Sequence, residues 1–153
     1  MTLSEIIQED RIIPELKASD RWEAIDELID KLVDGGALPA TDRNAIIEEV
    51  KRREKSMSTG IGFGIGIPHA STDLIDMEVG ALGRSSEGIN FDALDNQPVT
   101  LVVLFLVPKG QFQKHLSTLA NIAKRMHNRE FRQALEGAPD AGAMLEIIRQ
   151  ANH

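Results

Sequence analysis

A chain of 153 residues is long enough to bury a sizeable core and short enough to form one domain. Twenty-four acidic against seventeen basic side chains leave a formal charge of −7, which argues against a nucleic-acid backbone or an anionic membrane as the main partner. No cysteine occurs, which removes disulfides, thiol catalysis and thiolate metal sites.

Met1 to Asp10 has neither a basic region nor a long apolar segment and does not read as a signal peptide. Ser4 is placed to cap a short helical turn carrying Ile6 and Ile7. Residues 11–17 are short and contain Pro14, so an edge strand is expected. Asp20 followed by Glu23 fits a capping box. Trp22, Ile25, Leu28, Ile29, Leu32 and Val33 then form a helical stripe that Gly35-Gly36 ends. A second helix is predicted from Thr41 to about Lys55. Ile46, Val50 and Arg53 share one of its faces, while Lys51 and Arg52 point elsewhere. An arginine on a core-facing stripe either snorkels its head to water or turns its guanidinium toward an anion site.

The stretch that organises the chain is Gly60 to Ala70. Glycines at 60, 62, 64 and 66 alternate with Ile61, Phe63, Ile65 and Ile67, which predicts an extended segment with one anchored face and one bare face. A bare face admits close approach of a ligand or another backbone. Pro68 is expected to stop regular pairing and to leave His69 just beyond the strand.

Residues 71–76 read as a loop and Met77 to Arg84 as a strand. Ser85 to Gly88 read as a turn, Ile89 to Phe91 as a short strand and Asp95 to Pro98 as another turn. Val99 to Val107 is apolar on both faces and belongs at the centre of a covered sheet, with Pro108 closing it. It is about half of the roughly 20 residues that a membrane helix needs, so a soluble, cytoplasmic protein without membrane insertion is expected. The last third is helical. A helix begins near Gln113, with Leu116, Leu119, Ala120, Ile122, Ala123 and Met126 inward. Asn128 caps a second and Asp140 a third. The whole reads as an α/β domain spanning residues 1–153, a mixed central β-sheet flanked by helices on both sides.

Two histidines stand out. His69 follows a proline-terminated strand, and His115 lies on the apolar side of its helix soon after another. If those strands run parallel in one sheet, both imidazoles emerge at the carboxyl edge where open α/β sheets place ligand sites. His127 and His153 look idle, the latter fraying at the terminus. No His-Glu-x-x-His spacing exists, so no metal site is expected. The dinucleotide, phosphate-loop and Gly-x-Ser-x-Gly patterns are likewise missing. What remains is His69, His115, Arg53 and the Ser58 and Thr59 hydroxyls beside the glycine-lined segment. Neutral imidazole is a nitrogen nucleophile, and arginine neutralises a phosphoryl group through paired donors. Together they suit phosphoryl transfer, which is chiefly positioning and charge stabilisation, without a metal or cofactor. A small hydrolase using both histidines is a rival, but no carboxylate is evident beside either.

Ser58-Thr59-Gly60-Ile61-Gly62 followed by Gly64-Ile65-Gly66-Ile67-Pro68-His69 resembles the signature of enzyme IIA components of the bacterial phosphoenolpyruvate-dependent phosphotransferase system. The class is the fructose, mannitol and nitrogen-regulatory one (type-2 IIA domains). The resemblance extends through Arg53-Glu54, Phe91-Asp92-Ala93, Asp95 to Val99, Leu106-Val107-Pro108 and His115-Leu116. It implies that His69 is the phosphoryl acceptor, that His115 and Arg53 steady the phosphoryl group, and that Ser58, Thr59, Gly64 and Pro68 border it. It also implies a bond at the imidazole nitrogen remote from the backbone, with the other nitrogen held by a hydrogen bond whose partner the sequence does not reveal.

The implied donor is the histidine-containing phosphocarrier protein. The implied recipient is a separate IIB chain or, in the nitrogen-regulatory subtype favoured over sugar uptake, a set of regulated proteins. The alternative is a regulatory binding module of the same fold that is never phosphorylated. Phe63 and Gly66 depart from the family's commoner polar residue and alanine. Phe63 either widens an apolar docking surface or belongs to the core.

Overall fold

Strand β6 (Val99–Pro108) is the axis of the molecule, as its doubly apolar sequence predicts. The computed structural model describes residues 2–151, so His153 lies outside the described residues. Six strands form one mixed sheet in the order β1 (Ile12–Ile13), β5 (Val79–Ile89), β6, β3 (Ile65–Gly66) and β2 (Gly60–Gly62), with β4 (His69–Thr72) also paired to β6. β5 runs antiparallel to β6, while β3 and β4 run parallel to it.

Successive side chains of β6 leave on opposite faces. Val102, Leu104 and Leu106 enter a core covered by helices α2 (Arg21–Asp34) and α3 (Arg43–Ser56). Leu101, Val103, Phe105 and Val107 enter a second core covered by α1 (Leu3–Ile6), α4 (Leu116–His127), α5 (Arg129–Gly137) and α6 (Ala141–Gln150). All seven are fully buried, and each such burial stabilises the fold by about 1.5–3 kcal/mol. The result is the expected mixed sheet with helices on both sides. No helix among the described residues is long and apolar enough to cross a membrane.

Several caps form as predicted. The side chains of Asp20, Asn128 and Asp140 accept hydrogen bonds from the backbone N–H groups of Glu23, Phe131 and Ala143. Thr2 rather than Ser4 caps α1, and Glu5 accepts from its amide and hydroxyl. A 3-10 turn at Ala40–Asp42 precedes α3, which therefore starts at Arg43 rather than Thr41. In α4 the fully buried positions are Thr118, Ile122 and Met126, while Leu116 and Ala120 face solvent.

The glycine stretch is not one extended strand. β2 and β3 pair antiparallel, and the chain reverses through Gly62, Phe63 and Gly64 at φ values of 95°, 58° and 79°. Positive φ at three consecutive positions is a tight reversal, for which glycine carries no Cβ penalty. Phe63 thereby sits at the tip, 64% exposed, and is not core. The bare face does admit close approach, but of the chain's own Phe91 and Ala93. A Cβ on Gly66 would stand 2.8 Å from the Phe91 ring, and one on Gly60 would stand 2.7 Å from the Ala93 Cβ. Pairing resumes directly after Pro68, so residues 69–72 are strand β4 rather than strand end and loop. Residues 85–88, expected as a turn, continue β5 through a register shift between Arg84 and Ile89, with Gly88 at φ 89°.

Candidate functional site

Three elements converge on a cavity of about 420 Å³. Helix α3 contributes Glu49, Arg52 and Arg53; β4 contributes His69, Ala70 and Ser71; the loop after β6 contributes Lys109 and Phe112. The volume exceeds that of a single phosphoryl group and suits a larger ligand or an inserted side chain. Arg52, expected to point away, borders the cavity.

His69 is held from two sides. Its Nδ1 lies 2.7 Å from the carbonyl oxygen of Ile67. A carbonyl only accepts, so Nδ1 carries the proton and the neutral ring keeps its lone pair on Nε2. The Phe112 ring stacks on the imidazole with centroids 6.0 Å apart and planes 13° from parallel. Burial holds the imidazole pKa below its ordinary value. The hydrogen bond to Ile67 opposes this, the Arg53 charge lowers it further and Glu54 raises it. The His69 imidazole is thus neutral near pH 7.

Arg53 sits in the last turn of α3, half-buried, with Nη1 donating to the Met57 carbonyl at 3.0 Å. Its neighbour Glu54 is 1% exposed and accepts from Thr59 N (2.9 Å), Thr59 Oγ1 (2.5 Å) and Arg21 Nη1 (3.1 Å). Three cations (Arg52, Arg53, Lys109) against one carboxylate make the cavity wall basic in an acidic chain. That carboxylate, Glu49, accepts from Thr72 Oγ1 at 3.1 Å. The arrangement favours an anion in front of Nε2. Among the described residues, no three His, Asp or Glu side chains converge closely enough to hold a metal ion.

The assumed parallel pairing is present, with His69 opposite Phe105 on β6. His115 follows in the 3-10 turn Gln113–His115, its side chain 8% exposed. Its Nε2 lies 3.3 Å from Glu78 Oε2, a carboxylate that the sequence did not place beside it. His115 is not among the residues lining the cavity with His69 and Arg53. Neither are Ser58, Thr59, Gly64 and Pro68. Ser58 Oγ donates to the Phe91 carbonyl at 2.7 Å, Thr59 is tied to Glu54, and Gly64 lies in the hairpin turn. The Pro68 carbonyl accepts from Phe105 N at 3.0 Å. His127, expected to be idle, bonds the Ala123 carbonyl and meets the exposed Phe63 edge-on at 5.3 Å.

Sequence spacing signals two of the residues it missed. Glu49 is four positions before Arg53 on the same helix face, and Ser71 is two positions beyond His69 on the same strand face. Lys109 and Phe112 lie in a loop with no periodic signal.

The family model for the phosphoenolpyruvate-dependent sugar phosphotransferase system, EIIA 2, matches residues 5–151. A fructose-specific EIIA component from Haloferax volcanii is 36% identical over 127 residues, covering 83% of this chain and 81% of that protein. A nitrogen regulatory protein from Bradyrhizobium diazoefficiens is 30% identical over 148 residues, 97% of this chain and 95% of that protein. The crystal structure of nitrogen regulatory protein IIA-Ntr from Neisseria meningitidis superposes with a TM-score of 0.85 at 27% identity, covering 95% of this chain and 98% of that one.

Proposed function

The chain belongs to the EIIA 2 family of the phosphoenolpyruvate-dependent sugar phosphotransferase system, and from that premise we propose that it is a phosphoryl carrier whose acceptor atom is Nε2 of His69. One observation carries the reading: the Ile67 carbonyl fixes the Nδ1–H tautomer at 2.7 Å, which leaves Nε2 bare at a basic cavity. In the step, the Nε2 lone pair forms a bond to phosphorus while the donor's own bond to phosphorus breaks. The leaving nitrogen keeps that electron pair. The proton stays on Nδ1, donated to the Ile67 carbonyl, so no general base is required, and the ring becomes an imidazolium. Arg53 offsets the phosphoryl charge, and Lys109 adds to the same field.

The donor is a histidine-containing phosphocarrier protein, whose phosphohistidine the large cavity accommodates. The recipient is a IIB partner on a separate chain or, in the nitrogen-regulatory role that we favour over sugar uptake, a protein that distinguishes the charged from the uncharged form. The alignment with a nitrogen regulatory protein over nearly the whole of both chains supports that preference. For His115 we propose a supporting part. Its imidazole rests on Glu78, and on phosphorylation a ring turned from Glu78 donates to a phosphoryl oxygen.

Incubation with phosphoenolpyruvate, enzyme I and the phosphocarrier tests the reading. A mass gain of one phosphoryl group, lost in His69→Ala, supports it. No gain in the native protein leaves the non-phosphorylated binding module instead. His115→Ala is expected to slow onward transfer, and native rates in both directions would remove His115 from the site.

A further inference from the structure

The loop that leaves β6 is pinned along its length. Lys109 N donates to the Thr72 carbonyl at 2.8 Å, Gln111 N to Pro108 at 3.1 Å, and His115 N to Phe112 at 3.0 Å. Gly110 turns the chain at φ 84°. Phe112 is therefore held by fixed backbone on both sides, with its ring stacked near parallel to the His69 imidazole, the centroids 6.0 Å apart. Partial burial against the α4–α6 core explains why an apolar residue stands here. It does not explain a face laid within 13° of parallel to the nucleophile's ring.

Resting on the carrier reading, we infer that Phe112 is a positioning residue whose π face stabilises the positive charge that the His69 ring acquires when Nε2 takes the phosphoryl group. Before transfer the imidazole is neutral. After it, Nε2 is bonded to phosphorus, Nδ1 keeps its proton, and the ring is formally cationic. A cation over an aromatic face within about 6 Å of its centroid is attracted by the ring quadrupole, and the 6.0 Å separation lies at the edge of that range. The attraction is absent in the ground state and present in the charged ring, so it lowers the barrier rather than merely tightening binding. The Ile67 carbonyl acts in the same sense, since its hydrogen bond becomes charge-assisted as the ring turns cationic.

The test compares the native protein with Phe112→Leu, which keeps an apolar cover, and Phe112→Tyr, which restores the aromatic face. Phosphoryl acceptance from the phosphocarrier is expected to slow about three- to tenfold in kcat for Leu, with KM for the donor unchanged and Tyr near native. A proton places the same charge on the ring without phosphorus. Followed by NMR, His69 is thus expected to titrate at lower pH in Leu than in native or Tyr protein. Arg52, Arg53, Glu49, Glu54 and Lys109 remain constant across the three. A Leu variant with native kcat and titration overturns the inference, as does equal loss in Leu and Tyr. If the native protein takes no phosphoryl group, the carrier reading falls, and the titration still decides whether the stack stabilises a charged ring.

Discussion

The carbonyl oxygen of Ile67 and Nδ1 of His69, two residues apart along the chain, are 2.7 Å apart across the Pro68 corner. Pro68 lacks an amide hydrogen and breaks β3 from β4, so the Ile67 carbonyl is available to the imidazole rather than to a continuous ladder. The position of the proton follows from this contact. We expect 15N spectra of the native protein above pH 7 to show the Nδ1–H tautomer at His69. In the phosphorylated form the 31P–15N coupling should fall on Nε2. Coupling to Nδ1 would contradict the assignment.

The pH dependence has a definite sign. Burial, aided by the Arg53 charge, lowers the folded-state pKa of His69 below that of a free imidazole. The neutral imidazole therefore persists into more acidic solution, and on the carrier proposal the acid limb of the acceptance rate should lie below about pH 6.5. Arg53→Met removes a charge that lowers the pKa, so the limb should move up in that variant. For stability, His69 contributes nothing above about pH 6.5, where both states are neutral. As pH falls below that value the unfolded chain binds the proton first, and stability declines. An acid limb above that of free imidazole would refute the argument.

Much of this arrangement is legible in the residues, for physical reasons that differ by element. The stripe from Trp22 to Val33 carries a helical period, and the run from Val99 to Val107 is short, rich in β-branched residues, apolar on both faces and bounded by Pro98 and Pro108, so helix α2 and strand β6 are readable. The glycine alternation is compatible with a strand and with a hairpin, because backbone sign at Gly62, Phe63 and Gly64 leaves no trace in polarity. Strand β4 was hidden because one of its faces, with His69 and Ser71, lines a polar cavity rather than a core. Glu78 beside His115 and Phe112 over His69 are products of tertiary packing alone.

Glu54 is a structural counterpart to its neighbour Arg53. Its buried carboxylate satisfies Thr59 twice and Arg21 once, while Arg21 Nε is already buried without a partner. Glu54→Ala leaves the buried Thr59 amide and hydroxyl without their acceptor and leaves Arg21 paired to the exposed Asp92 carboxylate at 3.5 Å, and should cost about 3–5 kcal/mol. Glu54→Gln keeps the shape and loses the charge, so about 1.5–3 kcal/mol is expected. Urea titrations measure both, and an Ala variant within 1 kcal/mol of native, a bound on the order of experimental scatter, would show that the network contributes little.

Arg53 has two tasks at once, holding the Met57 carbonyl and facing the cavity. A planar fork can do both, whereas one ammonium cannot. Arg53→Lys should therefore slow phosphoryl acceptance by roughly tenfold or more, with thermal stability near native. An unchanged rate would take Arg53 out of the charge-neutralising role.

The hairpin that leads into Ile67 is seated by contact with the loop around Ala93, and this seating reaches His69. A Cβ at Gly60 would meet the Ala93 Cβ at 2.7 Å and its Cα at 2.9 Å, the latter backbone that cannot swing aside. Leu94 N also donates to the Gly60 carbonyl at 3.2 Å, and Ile67 N to Thr59 at 3.0 Å. Gly60→Ala must push β2 away from the loop, and the shift passes through Thr59 to the Ile67 carbonyl that orients His69. The expected cost is about 1–3 kcal/mol in urea unfolding, together with slower phosphoryl acceptance. Gly137→Ala, where nothing stands within 4 Å of the added methyl, is the matched control and should change neither. If Gly60→Ala keeps native stability and rate, the hairpin is not what aims the imidazole.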